Sequence, residues 1–382
     1  MKIKFKNTPE QIELVKAMAS RDRNVAYEAQ ATLSSLMGPV LGEVLDVAGI
    51  MSPMFESIRY AEDENPSIPV DLYYDVTDED YIQVWSQSSP GGLPRNEPIP
   101  TMEEMKIHTY TLDSAIAFDR KHAARSGLDV VAKSFARLAQ EVLLKQEKIS
   151  SNIVLGALSN GNTFGRDHVQ FAGSQGRLVL QDFNELLTLA KRMYRAWQGG
   201  TPEMGQPLRL TDMLISPRVA EELRGMAYNP INTKPNPQGT DTAIPATDSM
   251  RESIYQGAGI PNFYGINLVD IVELDKGEVY NQVFSAVSGG KTYEDANGSG
   301  PGGAARAFDP TKDEILLGVN RGVNSLYKAV AVDPDTNATF VLEPTDEFVR
   351  RQRKLGWYGG LEEGRFCLDD RAFVGKIFWD AA

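Results

Sequence analysis

Residues 285–292 have the sequence SAVSGGKT, which approaches the phosphate-binding pattern G-x-x-x-x-G-K-[ST]. In that pattern the lysine contacts the phosphates, and the helix that follows it directs its N-terminal amides at them. Here Ser285 stands where the first glycine belongs, and the residues after Thr292 include Gly298 and Pro301, which do not continue a helix. The pattern therefore disfavours a phosphate site, and a soluble nucleotide-binding enzyme is only a distant alternative.

Asp333, Asp335 and Asn337 have the spacing that opens a calcium-binding loop. Ala338 replaces the glycine that the sharp turn of such a loop requires, and Pro344 replaces its bidentate glutamate. A turn between two strands explains these residues better than a metal site does.

The residues that most often carry catalysis or bind zinc are few and scattered. The chain has one cysteine, Cys367, and three histidines, His108, His122 and His168. A single cysteine excludes intrachain disulfides, and this set lacks the spacing of a cysteine-histidine zinc cluster. No serine or cysteine motif near the histidines suggests a nucleophile. We therefore expect no catalytic residues, no cofactor, no metal and no enzymatic activity.

Charge is distributed very unevenly along the chain. Residues 60–105 hold eleven carboxylates and one cation, Arg95, in a protein of net charge -13. The same segment alternates like β-strand at 68–74 and 81–86, on either side of a tip rich in proline and glycine at 89–94. This pattern predicts a long acidic hairpin. An isolated two-stranded hairpin has only marginal stability in water, so we expect this one to lie on another surface. Our hypothesis is that this surface belongs to a neighbouring copy of the chain, and the alternative is a solvated acidic loop.

Four cations follow one another closely near the C-terminal end, within residues 350–354. Such a run is often a solvated helix face, but it also suits the docking of an acidic surface. We hypothesise that the acidic hairpin of one copy docks on this run in another. The candidate contact residues between subunits are Asp71, Asp75, Asp78, Glu79, Asp80, Arg95, Arg350, Arg351, Arg353 and Lys354.

Length and composition limit the class of protein. The chain has 382 residues, of which 42% are hydrophobic and 24% charged, as expected for a folded protein with one large core or two moderate ones. No run approaches the roughly 20 apolar residues of a membrane span, and residues 1–6 lack the apolar stretch of a secretory signal, so we expect folding in a cytoplasm. The acidic balance opposes nucleic-acid binding over the whole surface.

The helix and strand signals have a clear order. Thr8, Pro9 and Gln11 form a capping pattern that starts a helix, which is broken at 20–24 and is expected to stop at Gly38 and Pro39. Apolar residues at helical spacing predict one long amphipathic helix over 128–158. A helix is predicted at 180–197, a buried strand at 213–216, a helix that begins at Pro217, and a hairpin over 330–342.

Taken together, these features resemble the major capsid proteins of tailed double-stranded DNA bacteriophages, whose α+β fold is named after phage Hong Kong 97. The residues that carry the resemblance are the segment MLISPRVAEELRG at 213–225, the long helix with its preceding strand at 106–112, and the closing segment 348–378. The resemblance implies an N-terminal arm at 1–55, an extended E-loop at 56–106, a peripheral domain at 107–177 and 325–382 with the spine helix 128–158, and an axial α/β domain at 178–324.

The resemblance also implies a function and partners. Copies of the chain would form the hexamers and pentamers of an icosahedral head that encloses double-stranded DNA without sequence-specific binding. A separate scaffolding protein and a portal protein would be partners, and a cement or decoration protein is a further candidate. The shell would assemble in the bacterial cytoplasm and reside in the virion. Residues 60–105 contain no lysine, which argues against the isopeptide cross-link of some family members. An encapsulin-like compartment shell is the alternative with the same fold.

Overall fold

The computed structural model describes residues 8–61, 63–69, 104–125, 128–163, 165–173, 176, 178–193, 210–228, 231–232, 243–244, 262–263, 265–295, 298, 304–321, 325–334, 338–345 and 354–379. The chain forms two compact units: unit 1 comprises Met1–Ser150 and Leu326–Phe366, and unit 2 comprises Ser151–Ser325 and Cys367–Ala382. These limits differ from the domain boundaries that the resemblance implies, so those boundaries stay a prediction.

The described helices are α1 (Pro9–Met18), α2 (Arg23–Val47), α3 (Arg120–Ala124), α4 (Leu128–Asn160), α5 (Leu180–Met193), α6 (Pro217–Tyr228) and α7 (Val279–Ser288). The described strands are β1 (Glu56–Ala61), β2 (Ser67–Pro69), β3 (Glu104–Lys106), β4 (Tyr110–Asp119), β5 (Asn162–Thr163), β6 (Arg166–Asp167), β7 (Val169–Phe171), β8 (Asp212–Ile215), β9 (Ile231–Asn232), β10 (Ala243–Ile244), β11 (Asn262–Phe263), β12 (Ile266–Asp270), β13 (Thr292–Tyr293), β14 (Arg306–Ala307), β15 (Asp313–Val319), β16 (Leu326–Val332), β17 (Val341–Thr345), β18 (Lys354–Cys367) and β19 (Phe373–Trp379). Short 3-10 turns occupy Ser52–Met54, Val272–Leu274 and Asp370–Ala372.

The N-terminal helices begin where the capping pattern predicts. The Thr8 side chain accepts a hydrogen bond from the Gln11 amide at 3.4 Å, and Pro9 is the first residue of α1. Within the predicted break at 20–24, Asp22 caps α2 by accepting from the Asn24 amide at 3.1 Å. The predicted helix start and the break after it are therefore confirmed.

The prediction that Gly38 and Pro39 stop the second helix is wrong, because α2 continues to Val47. A proline inside a helix costs about 3 kcal/mol. Two buried leucines beyond it, Leu41 and Leu45, each recover roughly 1.5–3 kcal/mol by burial and so offset that cost. Gly38 also brings the helix backbone close to the loop before β17, where a Cβ atom would lie 3.1 Å from the Phe340 carbonyl oxygen.

Unit 1 has a mixed sheet in which five described strands pair. Its order is β1-β16-β18-β17, and β4 also pairs with β18. β1 runs parallel to β16, whereas β18 is antiparallel to both β17 and β4. The prediction of a hairpin over 330–342 is wrong. The two strands, β16 and β17, do not pair with each other, because β18 lies between them in the sheet.

The core of unit 1 lies between this sheet, α2 and α4. Trp357 of β18 is fully buried, and its ring centroid lies 5.3 Å from that of Phe135 on α4 and 5.4 Å from that of Phe118 on β4. The long helix predicted over 128–158 is confirmed as α4, and its buried stripe faces this core with Val131, Phe135, Leu138 and Val142.

Unit 2 has a second mixed sheet, of order β11-β12-β8-β15-β19-β7 among the described strands. Its central strands are buried along their whole length: β8 and β15 show no exposed residue. Helices α5 and α6 pack on the sheet through residues such as Phe183, Leu186 and Leu223. The predicted strand at 213–216 and the helix that begins at Pro217 are confirmed as β8 and α6, and α5 confirms the start of the helix predicted from residue 180. Its last four predicted residues, 194–197, lie outside the described part of the chain.

Candidate functional site

Inside unit 1, six polar side chains form one connected group, called the root cluster here: Ser52, Tyr110, Gln146, Ser150, Glu363 and Arg365. The centre of the cluster is the ion pair between the last two residues. Arg365 Nε donates to Glu363 Oε1 and Arg365 Nη2 donates to Glu363 Oε2, both at 3.0 Å. Both side chains are 0% exposed. This is the bidentate geometry in which arginine binds a carboxylate most strongly.

The other four members each form a hydrogen bond with the pair. Arg365 Nη1 donates to Ser52 Oγ at 2.8 Å and to Ser150 Oγ at 2.6 Å. Glu363 accepts from the Tyr110 hydroxyl at 2.9 Å and from Gln146 Nε2 at 2.8 Å. A buried ion pair is tolerated only when such partners are present, and loss of one partner then leaves an uncompensated charge.

Tyr110 donates to Glu363 because its hydroxyl stays protonated. Burial, together with the neighbouring Glu363 carboxylate, raises the pKa of Tyr110 well above its ordinary value. The phenol is therefore a fixed hydrogen-bond donor at any physiological pH.

The root cluster fixes both chain segments that flank the acidic segment of residues 60–105. Ser52 lies in the turn before β1, and Tyr110 is the first residue of β4. Between them, β2 and β3 pair antiparallel, with Ile68 opposite Met105. The described base of the predicted hairpin is thus two-stranded, and residues 70–103 of the hairpin lie outside the described part of the chain.

A second contact reinforces the same place. The Glu147 carboxylate accepts hydrogen bonds from three successive backbone amides, those of Ile50, Met51 and Ser52, at 3.2, 2.7 and 3.2 Å. On β1, the Tyr60 hydroxyl donates to Glu362 at 3.1 Å. Helix α4 and strand β18 together hold the chain that leads into the acidic segment.

Sequence analysis missed the root cluster, although one signal for it is present. Glu363 and Arg365 are two residues apart, and alternate residues of a strand lie on one face of its sheet. Leu361, Glu363 and Arg365 alternate along the strand, so they lie on the same face. An apolar residue and two opposite charges on one face indicate an ion pair that points into the protein. The four glycines of β18 concealed the strand and hence the spacing.

Of the ten candidate contact residues predicted from the sequence, only Lys354 lies in the described part of the chain. It is exposed, begins β18 and stands opposite Asp119 of β4 in the register. The other nine, Asp71, Asp75, Asp78, Glu79, Asp80, Arg95, Arg350, Arg351 and Arg353, lie outside it, and docking between the acidic and basic segments stays a prediction.

The structure gives the SAVSGGKT segment a role other than phosphate binding. Its first four residues form the end of α7, Gly289 ends that helix with φ of 58°, and a strand follows instead of a helix. Lys291 Nζ pairs with Asp167 at 2.9 Å and donates to the Ser159 carbonyl at 3.0 Å. The lysine therefore links the end of α4 to β6, and the described residues directly after it, 292–295, form no helix that could face a phosphate.

His168, which sequence analysis did not single out, is fully buried in unit 2. Its Nε2 lies 2.8 Å from Thr163 Oγ1, whereas Nδ1 has no hydrogen bond of normal geometry within the described residues. A Cβ atom at Gly161 would overlap the imidazole ring. Burial lowers the pKa of His168, and the nearby Asp369 and Asp370, which act in the opposite direction, only partly offset that effect.

Two kinds of feature are absent from the described residues. No group of three or more His, Cys, Asp and Glu side chains there is arranged to hold a metal ion. No helix there combines the length and apolar character needed to cross a membrane.

Comparison with known proteins shows the fold. No family model matches the chain, and no curated protein matches it by sequence. Among solved structures, the capsid structure of cyanophage P-SCSP1u is similar at a TM-score of 0.51 and 13% identity, covering 87% of this chain and 89% of that chain. The capsid of cyanophage Pam1 has a TM-score of 0.47 at 12% identity, and the match covers 86% of this chain and 89% of that chain. The SrpI encapsulin of Synechococcus elongatus has a TM-score of 0.41 at 10% identity, and the match covers 85% of each chain. The match to the P-SCSP1u capsid confirms the predicted α+β capsid fold.

Proposed function

We propose that this chain is the major structural protein of an icosahedral bacteriophage head. The observation that carries the proposal is the shared fold, which extends over 87% of this chain and 89% of the P-SCSP1u capsid chain. The protein acts by assembling with itself, and its function lies in surfaces instead of an active site.

The root cluster supports this proposal because an arm that reaches a neighbour needs a fixed base. The ion pair of Glu363 and Arg365, the three amides bound by Glu147 and the antiparallel pairing of β2 with β3 all hold the ends of the acidic segment. An arm fixed at its base loses less conformational entropy when it docks, so each weak contact between subunits becomes more favourable.

The parts and partners implied by the resemblance belong to the same proposal. Residues 1–55 form the N-terminal arm, 56–106 the E-loop, 107–177 and 325–382 the peripheral domain, and 178–324 the axial domain around which hexamers and pentamers close. A separate scaffolding protein guides assembly in the host cytoplasm, a portal protein occupies one vertex, and the head encloses double-stranded DNA without reading its sequence.

Docking of the acidic segment on the basic run of a neighbour is the electrostatic part of the proposal. The double substitution Arg350→Glu with Arg351→Glu places like charges together and is expected to reduce assembly most at low salt, where screening is weakest. Lys312→Glu, at an exposed site of unit 2, is the matched control. Normal assembly of the double variant across a salt series rules out this docking.

The experiment that tests the function is negative-stain electron microscopy with light scattering of the purified protein, expressed alone and with the products of its neighbouring genes. We expect shells, tubes or capsomers. A protein that stays monomeric under every condition contradicts the proposal. Nucleic acid inside particles made during infection identifies a phage head, whereas enclosed protein without nucleic acid identifies a compartment shell.

A further inference from the structure

The outer face of α2 is most apolar in the second half of the helix. In its first half the exposed residues mix the charged Arg23 and Glu28 with the apolar Val25 and Tyr27, which are 43% and 46% exposed. In its second half, Leu36, Val40 and Val47 are 60%, 49% and 79% exposed. They recur at helical spacing, so they form one continuous stripe on the outer face.

The stripe contains one charged residue, Glu43, which is exposed at helical spacing between Val40 and Val47. Pro39 is exposed within it and Val44 is half-buried beside it. Between residues 35 and 47, Glu43 is the one exposed charged residue, because Asp46 is half-buried and binds Lys328 Nζ at 2.7 Å. An exposed helix face normally carries charged and polar residues, so an apolar face over three turns indicates a surface that is covered in the working state of the protein.

The opposite face holds this part of α2 rigidly. Leu41 and Leu45 are buried, and at Gly42 a Cβ atom would lie 2.7 Å from Thr339 Oγ1. The ion pair of Asp46 with the buried Lys328 fixes the end of the helix to β16. Side chains on a fixed helix are preorganised, which lowers the entropy lost when they bind.

We propose that this face, called the α2 stripe, is a contact surface between copies of this chain in the assembled shell. The inference rests on the proposed function and adds the residues and the partner of one self-contact. Unlike the electrostatic docking of the acidic segment, this contact is apolar and therefore persists at high salt.

The small area of the stripe favours another copy of the chain in a shell as its binding partner, instead of a different protein in a stable pairwise complex. Its exposed apolar area is on the order of 300 Å², below the roughly 800 Å² per partner of a stable pairwise complex. A contact of this size does not hold two molecules together alone. It contributes where each subunit makes several such contacts at once, as in a closed shell.

Charge points to the same partner. Each copy has a net charge of -13, so two copies repel wherever their acidic surfaces meet. Only one of the six exposed residues between 35 and 47 is charged, so copies approach one another at this face with little repulsion. The exposed apolar side chains then supply the attraction.

Substitutions of exposed residues test the proposal without disturbing the core. Leu36→Glu and Val47→Asp each place a charge in the stripe and are expected to reduce the yield of sedimenting particles at least tenfold, with the melting temperature unchanged. Tyr27→Glu is the matched control, since Tyr27 is 46% exposed on the same helix outside the stripe. Wild-type yields from both stripe variants overturn the proposal. Failure of the wild type to assemble instead contradicts the proposed function.

Cross-linking identifies the occupant. A photoreactive residue, p-benzoylphenylalanine, replaces Val40 in particles assembled from equal amounts of light and heavy isotope-labelled chains. We expect a cross-linked band of twice the chain mass that contains mixed light–heavy peptide pairs. Pairs that never mix show that the chain's own residues cover the stripe, and a band of another mass shows a different protein there. Either result overturns the proposal.

Discussion

Glu363 and Arg365 form a bidentate ion pair in which neither side chain has any surface exposed to solvent. Their positions two residues apart on β18 place both groups on one face of the strand, where α4, β4 and the turn at Ser52 enclose them. The pair is the point at which the sheet of unit 1 holds both ends of the acidic segment.

Arg365→Met is expected to lower the free energy of unfolding by about 3–5 kcal/mol, because it leaves the Glu363 carboxylate buried without its counter-ion. Chemical denaturation measures the change. Arg137→Ala is the control, since Arg137 and Glu141 form an ion pair with side chains 78% and 52% exposed, and its loss costs less than about 0.5 kcal/mol. Equal effects of the two substitutions would contradict the role assigned to the root cluster.

Gly364→Ala is expected to destabilise unit 1 by roughly 1–3 kcal/mol, because its Cβ atom would lie 2.6 Å from the backbone oxygen of His108. Gly360→Ala on the same strand is the control. Its Cβ atom would lie 3.3 Å from a carboxylate oxygen of Asp113, whose side chain can move. Thermal melting of the two variants separates the backbone clash from the general effect of adding a methyl group.

Buried His168 is expected to make the protein less stable in mild acid. Its pKa in the folded state is lowered, whereas the unfolded chain has the ordinary value of about 6.5. Below about pH 6.5 the unfolded chain therefore binds a proton that the folded chain does not. The free energy of unfolding then decreases as the pH is lowered, until the pH reaches the pKa of the folded state. Above that window the contribution is constant.

His168→Gln removes this term, so the difference in unfolding free energy between wild type and variant is expected to shrink as the pH falls from 7.5 to 5.5. Denaturation at a series of pH values measures it. His108→Gln and His122→Gln replace exposed histidines and serve as controls for the loss of an imidazole. A constant difference for His168→Gln would refute the prediction.

Cys367 is expected to be chemically inert in the folded protein. Burial raises the pKa of Cys367 to about 12, which lowers the fraction of the reactive thiolate at neutral pH. Alkylation at pH 8 is therefore slow in buffer and fast in denaturant. Since the chain has one cysteine, a single mass shift reports the reaction, and equal rates in the two conditions would disprove the assignment.

Local signals in the sequence predicted the elements whose causes are local. Thr8 and Pro9 start α1 because a cap needs only neighbouring residues, and the apolar period over 128–158 suffices to predict α4. Pro217 likewise marks the start of α6. Each of these signals lies within a few residues of the structure that it causes.

The errors came from contacts between residues far apart in the sequence. Pro39 does not end α2, because Leu41 and Leu45 are buried by residues some three hundred positions away. β18 was concealed by glycines that its neighbours require: at Gly359 a Cβ atom would lie 2.6 Å from the Phe340 ring. The insertion of this strand between β16 and β17 is a property of the whole sheet, which a local hairpin signal does not contain.

The position of β18 and β19 at the end of the chain has a consequence for synthesis. β18 joins β16, β17 and β4 into one sheet, and β19 lies between β15 and β7 in the other. Neither sheet is complete until residues 354–379 have left the ribosome. Likewise, β1 cannot form its ladder before β16 has been synthesised, because the two strands pair. A chain that stops before residue 354 therefore lacks β18 and β19 and cannot complete either sheet.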